Sequence, residues 1–303
     1  MELKVKKVKK IRKYNYEAFL WLAPTFILLL IFSYYPPIRT LILSFTDANG
    51  AGIGKFVFLN NYLELFRDPV FWKSMMNVVI FIATGMFFGN FMTILLAELL
   101  FNMRKKHISS SFRFLFIIPI LVPSVVIILI WQYIVFAGGD AGIANNIMKF
   151  FGGDNQNWYF DPKLAPISII LTNFPWVAGT SFLIYLAGLQ AISPDIIEAS
   201  KLDGAGTFKR IFKIDLPLLR GQLKYFMVMG FIGGLQNINL QVLVTGSGPG
   251  TTNATNVPAF MLYENAFTYD RYGYASAIGM VIFGLTLAIT IINMKKFSSG
   301  DVK

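Results

Sequence analysis

The sequence predicts an all-α integral membrane protein with six transmembrane helices, and three observations predict it. Of its 303 residues, 55% are hydrophobic and 14% charged, where a soluble domain carries about 25% charged residues. Six apolar segments, near 18–45, 72–101, 112–137, 164–190, 222–244 and 274–294, reach the roughly 20 residues that a hydrocarbon core about 30 Å thick requires. Lys and Arg alternate between the two sets of connections, 20 against 7.

The first segment follows a basic tail, residues 1–17, that begins MELKVKKVKKIRKYN. Such a start imitates a signal peptide, but the apolar run after it is too long and lacks a small-x-small cleavage site, so an uncleaved first span is expected. The charge bias places both termini, including the tail 295–303, in the cytoplasm. Connections near 46–71, 138–163 and 245–273 then lie outside and are too short for a separate folded domain. Pro24, Pro36, Pro37, Pro119, Pro123 and Pro175 fall in or beside spans and predict kinked helices. Trp72, Trp131 and Trp158 fall near expected interfaces, where amphipathic rings form belts.

Several chemistries are excluded. A net charge of +11 with pI near 9.7 would suit a nucleic-acid partner if it formed one basic face. Here the cations sit in short clusters between apolar runs, so nucleic acid is not expected. With no Cys and one His, disulfides, thiolate metal sites and His catalysis lack raw material. GAGIGK, residues 50–55, is one residue short of a phosphate-binding loop, continues with Phe56, and lies outside the cell. GSGPG, residues 246–250, has no preceding strand and contains Pro249, so it is not a dinucleotide loop. His107 sits among Arg104, Lys105 and Lys106 in a solvated turn, and Asn253-Ala254-Thr255 is a glycosylation sequon by pattern only. Glu98 lies near the inner end of the second span, where a carboxylate reaching for the interface is a simpler reading than proton coupling.

The polar stretch EASKLDGAGTFKRIFKIDLP, residues 198–217, interrupts two apolar runs. Ser193 followed by Pro194 predicts a capped helix start, and Gly204 after Asp203 predicts its left-handed end. Thr207 is expected to cap a second short helix in which Phe208, Ile211 and Phe212 share one face and Lys209, Arg210 and Lys213 the other, with Pro217 as its stop. Two readings of this amphipathic pair stay open, contact with the lipid surface and insertion into a groove of a partner protein. Asp195, Glu198 and Asp203 on the first helix make an anionic leaflet an awkward neighbour.

Glu198-Ala199-Ser200, Asp203-Gly204-Ala205, Ile214 and Leu216-Pro217 resemble the EAA loop of permease subunits of bacterial ABC importers. Residues 19–47, the Asn77 helix start, 112–135, 186–200 and 244–255 extend the resemblance to the carbohydrate branch, in particular to the larger subunit of maltose and glycerol-phosphate type systems. Ser200 and Gly221 depart from the commoner Ala and Pro, and the extra N-terminal helices and inserted external domain of the maltose subunit have no counterpart. The resemblance implies a type I importer permease fold over 18–294 with a coupling loop at 191–221. It also implies a second homologous permease, two cytoplasmic ATPases that bind ATP and Mg, an external solute-binding protein, and no cofactor on this chain. In the coupling loop, Glu198 would anchor, Gly204 would set the backbone, and Phe208 would join the docking face.

Polar side chains inside spans are costly unless they meet partners or water, and they concentrate on the fourth and fifth spans. Asn173, Trp176 and Thr180 share a helical face by spacing, as do Gly230, Gly233 and Asn237, with Gln236 adjacent. A ring beside amides suits a sugar, whose C–H faces stack and whose hydroxyls need donors and acceptors. Close helix packing through small and amide residues is the competing reading. By resemblance, Asn173 and Asn237 match positions lining the sugar pocket of maltose-type permeases, whereas Thr180 and Gly233 replace aromatic residues there. A lone ion-coupled secondary transporter is the alternative, which would need paired interrupted helices and essential membrane carboxylates.

Overall fold

A computed structural model describes residues 16–50, 52–103, 105–172, 174–176, 179–245 and 253–298. GSGPG, Asn173, Arg104 and most of both tails lie outside the described residues. The described chain is helical apart from one isolated bridge between Thr46 and Phe56.

Four helices are long and apolar enough to cross a membrane: Phe19–Leu43, Pro69–Phe101, Arg220–Val244 and Tyr272–Lys295. They correspond to spans one, two, five and six. The third crossing is not one helix. His107–Leu121 and Ser124–Val135 meet at 91°, because Val122, the residue before Pro123, is extended at ψ 121° and a residue in that position is driven from the helical region. The fourth is also broken, into Ala165–Leu171 and Gly179–Gln190. Between them lie Pro175 and a Trp176 with φ +56°. Gly179–Gln190 alone, at roughly 18 Å, is too short to cross; it reaches spanning length only together with a bent neighbour, Pro194–Leu202. The fifth span unwinds after Gln236, where Asn237 is extended, and resumes as a π turn over Gln241–Thr245.

Buried side chains form three clusters. One joins Leu65, Phe71, Val78, Ile82, Leu235, Phe260, Tyr274 and Ile278, a second joins Ala97, Leu100, Phe182, Tyr185, Leu186, Leu189 and Leu219, and a third joins Ile128, Phe136, Tyr159 and Val244. Since lipid tails are as apolar as the side chains, shape decides contact here. At Gly234 a Cβ would lie 2.4 Å from Ile82 Cγ1, so glycine is what lets the fifth span approach the second.

The cap of loops at one end of the bundle is tied by polar groups. Asn61 Nδ2 donates to the carbonyls of Ser44 and Thr46 at 2.9 and 2.8 Å. The second span starts at Pro69, capped by Asp68, so Asn77 lies two turns inside it and not at its start. There its buried Nδ2 donates to the carbonyls of Asn253 and Asn256 at 2.8 and 3.0 Å. Asn77→Ala would orphan both acceptors, and a loss of about 1–3 kcal/mol is expected, read as a lower thermal midpoint of the detergent-purified protein. Trp158 is half-buried in this cap: its Nε1–H donates to Asn145 Oδ1 at 2.9 Å and its ring stacks on Phe136 at 5.2 Å.

Candidate functional site

The polar segment folds into two parts at one end of the bundle. Pro194–Leu202 turns 68° from the end of the fourth span. Ser193 caps it by accepting from Asp195 N at 3.4 Å, and Pro194 occupies the first turn. Its end closes through Asp203 N to Ala199 O, Gly204 N to Lys201 O and Ala205 N to Ser200 O, at 2.9–3.0 Å. Gly204 has φ +69°, a left-handed conformation that costs any residue with a Cβ roughly 1–2 kcal/mol.

The second part differs from expectation in three ways. The cap position is Gly206, without a side-chain bond, and Thr207 is the first helical residue. Pro217 does not stop the helix. Thr207–Arg210 continues through a π turn at Ile211–Asp215 into Leu216–Leu218, and a π turn supplies the slack that a proline's missing N–H and its ring demand. Arg210 does not share an exposed face with Lys209 and Lys213. It is buried, because Asp215 and Asn102 accept its guanidinium hydrogens.

The segment therefore has two sides. Ser200, Arg210, Asp215 and Leu219 are buried, and Ala205, Ile214, Leu216 and Pro217 are half-buried. Leu202 and Phe208 are 89% and 79% exposed, with Phe212 close behind. Ala199 is exposed, and so is Glu198, whose carboxylate has no partner among the described residues, so it does not anchor the loop within this chain. Isolated apolar side chains on a surface are ordinary, and here three large ones fall on one short segment.

Above this segment lies a cavity of about 1010 Å³. The second span lines it with Val78, Ile82, Met86, Asn90, Thr93 and Leu96, and the broken third and fourth crossings supply Phe116, Phe174, Trp176 and Thr180. Trp176 is held by its indole N–H donating to Ile170 O at 2.9 Å and by stacking on Phe88 at 4.8 Å. Tyr185 O–H donates to Asn90 Oδ1 at 2.6 Å and fixes that amide. Asn237 and Gln241 add amides from the unwound part of the fifth span.

Trp176 and Thr180 thus share one cavity, although not by helical spacing, since the helix is interrupted between Leu171 and Gly179. On the fifth span the lining face is Gly230, Gly234 and Asn237; Gly233 and Gln236 are exposed and do not line the cavity. The helix ends at Gln236, and Asn237, in extended backbone, still lines the cavity. Glu98 does not reach for the interface but is buried. Its neighbours Asn102, Arg210 and Asp215 carry no local signal that would pair them. Among the described residues no group of three or more acidic, His or Cys side chains could hold a metal.

A bundle of apolar crossings around a large internal cavity, with a capped segment displayed at one end, has the architecture of a membrane transport component. The chain belongs to the family described as binding-protein-dependent transport system inner membrane component, whose profile matches residues 89–295. That makes it a multi-pass inner-membrane permease component. It is 32% identical over 285 residues to the probable ABC transporter permease protein YurN of Bacillus subtilis (strain 168), covering 93% of this chain and 96% of that protein. It is 31% identical over 289 residues to the sulfoquinovosyl glycerol transport system permease protein SmoG of Agrobacterium fabrum (strain C58), covering 94% and 91%. Its fold is that of a chain in a bacterial alginate ABC transporter in complex with an alginate pentasaccharide-bound periplasmic protein, with TM-score 0.79, 22% identity and coverage of 92% and 93%.

Proposed function

We propose that this chain is the membrane-spanning permease subunit of an ATP-driven, binding-protein-dependent importer of a sugar or oligosaccharide. It forms half of the translocation pathway beside a second homologous permease. Two cytoplasmic ATPases bind ATP and Mg, and an external solute-binding protein delivers the sugar. Both termini face the cytoplasm, consistent with the 20 to 7 bias of Lys and Arg. The 1–17 and 295–303 tails flank a permease domain at 18–294, and the coupling loop is 191–221.

The observation that carries this reading is the exposed apolar rim of the capped segment, with Leu202 and Phe208 turned to solvent at the inner end of the bundle. Closing of an ATPase dimer on nucleotide would push this rim and turn the pathway outward, and hydrolysis would reset it. Gly204 sets the geometry of the rim, and Glu198 is free to meet the ATPase. A sugar is supported by the names of the relatives and by a cavity that combines Trp176 with the amides of Asn90, Asn237 and Gln241.

The test is the assembled complex in proteoliposomes with its binding protein and a panel of sugars. Sugar-stimulated ATP hydrolysis with uptake is expected. Stimulation only by phosphate esters or peptides would overturn the substrate class, and uptake by the purified chain alone would favour ion coupling. Trp176→Ala is expected to cut uptake about tenfold, since the ring supplies a large apolar face beside the amides of the cavity and its loss at about 1.4 kcal/mol is a factor of ten, while ATPase binding to the complex persists. Unchanged uptake would remove Trp176 from the pathway.

A further inference from the structure

A chain of buried polar groups joins the capped segment to the second span. Glu98, Arg210 and Asp215 are 3%, 8% and 0% exposed. Arg210 Nε donates to Asp215 Oδ2 at 3.0 Å, and its Nη2 donates to Asn102 Oδ1 at 2.5 Å. The guanidinium also lies 5.6 Å from the ring centroid of Phe101. Asn102 Nδ2 in turn donates to Glu98 Oε2 at 3.2 Å and to the Glu98 carbonyl at 2.8 Å. Two acceptors, Glu98 Oε1 and Asp215 Oδ1, are buried without a partner.

Such a network is a poor way to gain stability, because taking charges out of water costs about as much as their attraction returns, and apolar residues would hold the same elements together. Its incompleteness is the informative part. A buried carboxylate oxygen with no donor, one amide away from a guanidinium that has several, leaves room for a second arrangement of the same groups. The helix that carries Glu98 runs unbroken from Pro69 to Phe101, with no proline after its first residue, and its middle forms the cavity wall from Val78 to Leu96. A push on Arg210 therefore has a stiff path to the cavity.

Resting on the importer reading above, we propose that Glu98, Asn102, Arg210 and Asp215 form a two-position tie that transmits movement of the docking segment to the second span. Asp215 stays with Arg210 while the second hydrogen bond of the guanidinium exchanges between Asn102 Oδ1 and Glu98 Oε1. These are positioning residues, acting on the pathway through the span and not by touching sugar or ATP.

The experiment uses the full complex in proteoliposomes and reads sugar moved per ATP hydrolysed beside the yield of assembled complex. Asn102→Ala is expected to assemble and to hydrolyse ATP, with the ratio reduced about tenfold. Glu98→Gln, which keeps size and one acceptor but weakens the second position, is expected to reduce it about threefold. Arg210→Lys keeps the charge but loses the fork and should fall between them. A merely structural role would lower yield without moving the ratio. An unchanged ratio in Asn102→Ala and Glu98→Gln overturns the tie; if Asn102→Ala does not assemble, an unchanged ratio in Glu98→Gln alone does so. Failure of the wild-type complex to couple sugar to ATP would instead refute the importer reading.

Discussion

Phe208→Asp is expected to release the ATPase subunits from the solubilised complex while leaving the membrane bundle folded. Phe208 is exposed and makes no aromatic contact among the described residues, and substitutions at such positions change stability by no more than about 0.5 kcal/mol. Against a partner the balance reverses. A buried aromatic anchor at an interface is worth about 2 kcal/mol or more, so affinity should fall about thirtyfold, and adding Leu202→Asp should abolish recovery of the chain on a tagged ATPase. The same pair of substitutions separates docking from lipid contact. Full ATPase recovery by the double variant, with lost binding of the segment to anionic vesicles, would return the segment to the membrane surface.

Gly273→Ala is expected to give the largest loss of stability of any single methyl group added to the loop cap that Asn61 and Asn77 tie. A Cβ there would lie 1.9 Å from the Thr46 carbonyl oxygen and 3.2 Å from Ala48 N. Neither can move freely. Thr46 O accepts from Asn61 Nδ2 at 2.8 Å, and Gly273 N itself donates to Ala48 O at 3.0 Å. Overpacking costs about 1–3 kcal/mol and loss of the backbone bond about 1 kcal/mol more, so the thermal midpoint should drop by about 3–6 °C. An unshifted midpoint would mean that the sixth span does not meet the 44–48 turn this closely.

The spans were legible because apolar length is a local property, and the end of Pro194–Leu202 was legible because Ser-Pro and Asp-Gly carry their geometry with them. The breaks were only half legible. Pro123 and Pro175 announce bends, but a 91° turn, or a Trp176 in the left-handed region, depends on what the neighbouring helices leave to be filled. The error at Arg210 has a specific cause. A regular helix places residues five apart about 140° from each other, so Arg210 and Asp215 belong to different faces on a helical wheel. The π turn between them bonds Leu216 N to Ile211 O and brings positions five apart together. The other partner, Asn102, is 108 residues away in sequence, beyond any local pattern. The shift from Gly233 to Gly234 as the lining residue has the same origin, since the close approach to Ile82 is a property of two spans and not of one.

The second span is a rod whose two polar fixtures have a telling separation. Asn77, bound to the outer loop, and Glu98, bound through Asn102 to the inner segment, are 21 residues apart on one unbroken helix, which is roughly 32 Å of rise. That is about one hydrocarbon thickness, so the helix is long enough to carry one fixture near each face of a bilayer. A stiff beam pivoting inside such a film carries its ends in opposite directions. Under the proposed tie, a displacement delivered at the Glu98 end would therefore move the Asn77 end the opposite way, and alternation between the two sides would need no separate messenger.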